Sequence, residues 1–226
     1  MPYYTLESAC NNEETGPEYP QVQKMSPGYD FKAANSVYAL SKAVEKIPDF
    51  QPNLDYFVVE GKAKLTDLLS ASPISGGILI SPGFKSILEN INLPVHKFYS
   101  AIVSHKKKSY QYYWLHIICD LTNFVDYRNS TFFIYHNYKN NLGYIDITSK
   151  DDFARQKEKI KRENPGKTIT VWAETIKFNN DFTNVLDLFE IGTFDSKLYI
   201  SEKLKTIIVS ANITGCSITA ATNIIL

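Results

Sequence analysis

The spacing of apolar residues divides this chain into short elements. Residues 1–30 are rich in Asn, Glu, Pro and Gly and predict an extended, loosely attached arm. The segment "AANSVYALSKAVEKI" then places Val37, Leu40, Val44 and Ile47 at helical spacing, which predicts an amphipathic helix ended by Pro48. "DYFVVEG" reads as a strand closed by a turn glycine, and "KLTDLLSAS" as a helical turn capped at Thr66 or a pair of turns. "GGILI" is a short apolar strand entered through two glycines. Ser81 follows it, with a hydroxyl able to accept the free N–H groups of a helix start, and Pro82 suits the first helical position because no N–H is needed there. Phe84, Ile87, Leu88 and Ile91 continue as one apolar stripe.

Downstream the period is mostly that of strands. "HKFYSAIVS" and "YQYYWLHIIC" predict a hairpin turning at "HKKK", and "STFFIYHN" and "LGYIDIT" predict a second pair. "DDFARQKEKIKREN" reads as a charged helix stopped by "NPG", "KTITVWAETIKF" as a half-buried strand and "DLFEIG" as another. The strand–helix pattern at Ser81 then recurs at Ser201, 120 residues on and without a gap: "KLYISEKLKTIIVSANI" repeats the strand, the serine cap and a stripe of Leu204, Ile207, Ile208 and Ala211. The whole predicts an α+β fold, a mainly antiparallel mixed sheet with a few packed helices and two similar strand–Ser-capped-helix elements. Residues 1–53 read as an N-terminal arm and short helix, and 54–226 as the α+β domain.

Composition narrows the class. At 226 residues, 44% hydrophobic and 13% aromatic, the chain has material for a sizeable core. Net charge is zero, which argues against a dedicated nucleic-acid binder. Charge is unevenly spread, since acids outnumber bases nine to four in residues 1–60 and bases outnumber acids seventeen to ten in 61–180. Cys10, Cys119 and Cys216 are few and far apart, which reads as reduced thiols. With no secretory leader pattern and no window of membrane-spanning length, the expected location is the cytoplasm, with no membrane partner.

Candidate chemistry is sparse. Ser81 and Ser201 lie in "ISPGF" and "ISEKL", which lack the glycine frame of a nucleophile elbow, so both read as caps. "GGILISPG" lacks the Lys-Ser/Thr ending of a phosphate cradle. His96, His105, His116 and His136 fall in different elements and give no metal-ligand spacing. A dyad of His116 with Cys119 or Asp126 is the one nucleophilic alternative. Trp114 and Trp172 read as core anchors, and "HKKK" as a solvated turn or a contact for an anionic partner. No catalytic, cofactor or metal residue is assigned.

Four stretches in order resemble an immunity-protein family of bacterial polymorphic toxin systems. They are "KLTDLL" (64–69); "GILISPGFKSILENINLP" (77–94) running into "HKFYSAIV" (96–103); "YYWLHIICDLTNFVDYRNSTF" (112–132), with Asp126 and Ser130 in family-like spacing; and "DLFEIGTFDSKLYISEKLKTIIVSANITGCSI" (187–218). His116 stands where the family pattern has Asn, and Ser100 where it has Pro. The resemblance implies a protein without enzymatic activity or cofactor that binds a cognate toxin and occludes it. The toxin-binding surface is not assigned. Exposed candidates are the "HKKK" turn, Tyr135 to Lys139, Phe178 to Asp181, and an acidic mimic at Glu13, Glu14 and Glu18 on the arm. The competing expectation is a small-molecule or enzymatic site walled by "YQYYWLH" beside Asp120 and Asp126.

Overall fold

In the computed structural model, residues 2–137, 140–183, 185–194 and 197–225 are described. The chain runs β1 (Tyr3–Ser8), β2 (Val22–Met25), α1 (Val37–Ser41), β3 (Phe57–Val59), β4 (Leu68–Leu69), β5 (Gly77–Ile80), α2 (Pro82–Leu88), β6 (Val95–His105) and β7 (Lys108–Ile118). Two short 3-10 turns lead into β8 (Thr131–His136), β9 (Asn140–Ile145), α3 (Lys150–Glu163), β10 (Ile169–Lys177), β11 (Leu188–Phe189), β12 (Leu198–Ser201), α4 (Glu202–Ser210), β13 (Cys216–Ala220) and β14 (Ile224–Ile225). The fold is α+β as expected, but the strands divide into three sheets rather than one. Their orders are β2-β3-β6-β7-β5-β4, β11-β12-β1-β13 and β14-β10-β8-β9. Among the described residues the named strands pair antiparallel except at β3–β6 and β10–β14, and Val22 of β2 also makes an isolated parallel bridge to Ala71.

The long β6/β7 hairpin is the spine of the largest sheet. Its partners run without a slip from Val95↔Ile118 to His105↔Lys108. The inward side chains Tyr99, Ala101, Val103, Tyr112 and Trp114 are buried with Phe57, Leu40 and Val37 in one apolar cluster. A second cluster joins Phe132, Phe153, Phe194, Val171 and Ile176 beneath α3, whose Lys- and Glu-rich face is left to solvent. Ser149 caps α3, Asp151 and Asp152 sit in its first turn and Lys161 and Arg162 in its last, each sign matching the helix dipole.

The third cluster is where the repeat lies. Leu68, Ile80, Phe84 and Leu88 pack with Leu188, Ile200, Leu204 and Ile208, so the two capped helices share one core. The strands preceding them match in register: Leu68↔Ile80 and Leu69↔Leu79 in the first copy, Leu188↔Ile200 and Phe189↔Tyr199 in the second. The next strand matches too. β7 sets Tyr113 opposite Ile80 and Ser100, and β1 sets Tyr4 opposite Ile200 and Ala220. Lys85 lies over the Tyr113 ring at 5.0 Å and Lys205 over the Tyr4 ring at 3.9 Å. The repeated unit is therefore a strand pair, a capped helix and the strand beside the pair in the sheet, which is β7, later in the chain, for one copy and β1, at the start of the chain, for the other.

That role for β1 corrects the expected loose arm. Tyr3, Thr5 and Leu6 are buried between β12 and β13, and residues of 1–53 such as Val22, Met25 and Leu40 share a core with Leu54 and Phe57. Two local expectations also change. The first helix stops at Ser41, Val44 is 67% exposed, and the Ala43 carbonyl faces His116 Nε2 at 2.9 Å instead of a further helical turn. "KLTDLLSAS" forms β4 rather than a helical turn; Thr66 is buried and accepts from Gln21 Nε2 at 3.0 Å.

Candidate functional site

Ser81 and Ser201 act as caps. The Phe84 N–H donates to Ser81 Oγ and the Leu204 N–H to Ser201 Oγ, both at 3.2 Å. Each hydroxyl in turn donates to a carboxylate 14 residues upstream, Ser81 to Asp67 Oδ1 at 2.6 Å and Ser201 to Asp187 Oδ1 at 2.7 Å. The second carboxylate oxygen reaches across to the other copy. Asp67 Oδ2 accepts from the Thr214 N–H at 3.0 Å and its hydroxyl at 2.7 Å, in the loop after α4. Asp187 Oδ2 accepts from the Asn92 N–H at 3.0 Å, in the loop after α2. Backbone bonds repeat the exchange, from the Leu68 N–H to the Thr214 carbonyl and from the Asp187 N–H to the Asn92 carbonyl.

The result is a reciprocal clasp: each aspartate fixes its own helix start and holds the end of the other helix. Burial would raise the Asp187 carboxyl, but the Lys203 ammonium at 2.9 Å, the Asn92 amide and the Ser201 hydroxyl outweigh it and hold it below the usual range. At Asp67 burial is likewise outweighed, here by Ser81 and Thr214 without a lysine. Gly215 makes the crossing close enough. Its φ is +80°, and a Cβ there would lie 2.2 Å from the Leu68 carbonyl oxygen. The same 120-residue offset that relates the two serines also aligns Asp67 with Asp187 and Asn92 with Asn212, a sequence signal of the clasp that lies outside the strand–helix repeat itself.

The nucleophilic alternative is not assembled. His116 is 1% exposed, and its ring nitrogens face the Gly76 carbonyl at 3.1 Å and the Ala43 carbonyl at 2.9 Å, not Cys119 or Asp126. Burial pushes the Cys119 thiol up to about 11 and the Cys216 thiol up to about 12, which keeps both in the unreactive form. Asp126 caps a 3-10 turn through Asn129, and the Ser130 hydroxyl donates to the Asp126 carbonyl at 2.7 Å. Asp120 receives Lys150 Nζ at 2.6 Å and the Thr122 N–H at 2.9 Å. Of the expected aromatic wall, Tyr112, Trp114 and His116 are buried. Among the described residues no group of three or more His, Cys, Asp or Glu is placed to hold a metal. Cavities among the described residues include one of about 560 Å³ between β5, β1 and β12, lined in part by Glu7, Gly77, Glu190 and Lys197, and one of about 440 Å³ beside Tyr127, Arg128 and Asp146.

The surface candidates separate clearly. Phe178 is buried and stacks on Phe182 at 3.9 Å, so it is not an exposed contact. Two of the three acidic candidates on the arm do structural work: Glu14 accepts from the Gly215 N–H at 2.7 Å, and Glu18 from the Lys62 and Ala63 N–H groups. Of Tyr135 to Lys139, Tyr138 and Lys139 lie outside the described residues. Tyr135 belongs to an outer aromatic face with Phe133 and Trp172, bordered on β9 by the exposed Leu142 and Tyr144. Lys106, Lys107 and Lys108 are exposed at the hairpin tip. No helix among the described residues is long and apolar enough to cross a membrane.

The family model of the Imm11 immunity proteins matches residues 3–223. No curated protein matches the sequence.

Proposed function

We propose that this chain, which belongs to the Imm11 immunity protein family, binds a cognate toxin in the cytoplasm of the cell that makes it and blocks the toxin by covering it. The observation that carries the reading is the family match across residues 3–223, which takes in β1 through β13. The geometry supports occlusion by a preformed surface over chemistry. Serines that invite a nucleophile reading are spent on helix caps, and His116 is spent on two backbone carbonyls.

Rigid scaffolds favour tight inhibition because little conformational entropy is lost on docking. The clasped helix pair and the unbroken β6/β7 hairpin provide such a scaffold. Tight inhibitors bury roughly 1,600 Å² with a few aromatic or charged anchors. The outer aromatic face on β8, β9 and β10 and the lysine tip of β6/β7 have the matching chemistry.

The test is recovery of partners from the native cytoplasm. A tagged chain is expected to retain a multidomain protein through its C-terminal toxin region in a high-salt wash, and co-expression is expected to rescue cells from that toxin. Killing that continues at full rate in the presence of the folded chain would overturn the reading.

A further inference from the structure

The β6/β7 turn uses residues that its backbone disfavours. Lys106 and Lys107 have φ of 49° and 65°, the left-handed conformation that a type I′ hairpin turn requires at both central positions. Asn-Gly satisfies that geometry with least strain, whereas an L side chain with a full Cβ is strained there. The adjoining strands pair without a slip over eleven residues each, so the turn's geometry is imposed by an unbroken ladder. Two lysines, followed by a third, occupy a position where local stability alone selects other residues.

What these lysines offer is unused charge. All three are exposed, and among the described residues no ion pair involves Lys106, Lys107 or Lys108. By contrast Lys24, Lys85, Lys150, Lys203 and Lys205 each have a carboxylate partner. The tip also extends past its neighbours in the sheet. On the β7 side this is by several residues, since the pairing with β5 comes no nearer the turn than Ile80↔Tyr113, whereas β3 accompanies β6 as far as Val58↔Ser104 and only the turn itself lies beyond it. His105 beneath the turn faces inward and is 7% exposed, so the outward charge comes from the lysines.

We propose that the Lys106–Lys108 tip is this protein's electrostatic docking element and engages an acidic surface of its protein partner. The inference rests on the toxin-binding reading above and adds the place and sign of the contact. Strain kept at a charged, projecting tip is the usual mark of a recognition element, where function overrides local stability. Three local cations steer a complementary protein surface, whereas a sequence-independent hold on nucleic acid takes roughly 6–10 phosphate contacts.

The test uses the full chain and the toxin domain of the protein recovered with it from the native cytoplasm, made inactive by mutation. A K106N/K107G/K108S variant relaxes the turn and removes the charge together. It is expected to melt about 2–4 °C higher than the native chain, which shows the fold is intact. Its association rate is expected to fall about tenfold at low salt, with a flatter dependence on ionic strength. A control, K157S/K159S/K161S on the exposed face of α3, changes net charge equally and is expected to leave the rate nearly unchanged. An unaltered rate in the tip variant, or an equal loss in the control, overturns the proposal. Loss of binding to a 20-base-pair RNA duplex with toxin association unchanged also overturns it, in favour of a nucleic-acid contact. Failure of the native chain itself to bind the toxin overturns the toxin-binding reading, and is told apart because no substitution is involved.

Discussion

Removing one aspartate of the clasp is expected to cost more than removing its counterpart, although the two occupy equivalent positions. Asp187 is 6% exposed and accepts from the Ser201 hydroxyl, the Asn92 N–H and Lys203 Nζ. In Asp187→Ala the first two bonds, both to a charged acceptor, are lost at roughly 1.5 kcal/mol each. Lys203 is 56% exposed and regains water, so its ion pair adds little. The sum is about 3 kcal/mol, or roughly 6–12 °C in melting temperature for a chain of this size. Asp67 is more exposed, and the Thr214 groups it holds can rehydrate, so Asp67→Ala is expected to cost about 2 kcal/mol. Urea denaturation followed by circular dichroism reads both as shifts in midpoint at constant slope. The pH dependence follows from the same bonds. Both carboxyls are held below the usual range when folded, so their contribution is present above the unfolded pKa and is lost as pH falls through the folded one. Asp187→Asn is expected to flatten the acid limb. A cost under about 0.5 kcal/mol for Asp187→Ala, or a larger cost for Asp67→Ala, would refute the clasp as described.

Further outcomes follow from other contacts. Gly77→Ala would put a Cβ 2.2 Å from the Leu115 carbonyl oxygen and 2.8 Å from Trp114 Nε1, so β5 must move off β7; a loss of at least about 2 kcal/mol with a changed tryptophan emission is expected. His116 has its pKa lowered by burial despite the Ala43 and Gly76 carbonyls. The unfolded chain therefore takes up its proton first, and stability is expected to fall as pH drops below the ordinary histidine range, an effect absent in His116→Gln. A gain in stability on acidification would mean that the imidazolium bridging both carbonyls prevails. Cys10 is exposed while the Cys119 and Cys216 thiols are pushed up by burial, so titration with a thiol reagent at pH 8 is expected to show one fast equivalent and two slow ones.

Local signals were legible and distant ones were not. Ser81-Pro82 and Ser201 mark helix starts because a cap and an apolar stripe lie within one turn of each other. The β6/β7 hairpin was readable from alternation around a short polar turn. β1 is not legible in the sequence because its partners lie near the other end of the chain, at 198–201 and 216–220, while the residues just after it are polar and turn-forming. The clasp needs bonds spanning 147 and 95 residues, and a single Asp carries no mark of such a partner. Phe178 illustrates the reverse error: a residue beside a polar "NND" run is buried by stacking on Phe182, four residues on. Of the surface, the lysine turn was legible as charge. Its strain and lack of ion pairs are properties of the folded hairpin alone.

Neutralisation by covering demands a fixed stoichiometry. Purified toxin titrated with this chain is expected to lose activity linearly to a sharp end point at one chain per toxin, and to regain it in full once the complex is denatured and the toxin refolded alone. Inactivation by a small fraction of an equivalent, persisting after separation, would contradict the account and show that the chain modifies its partner.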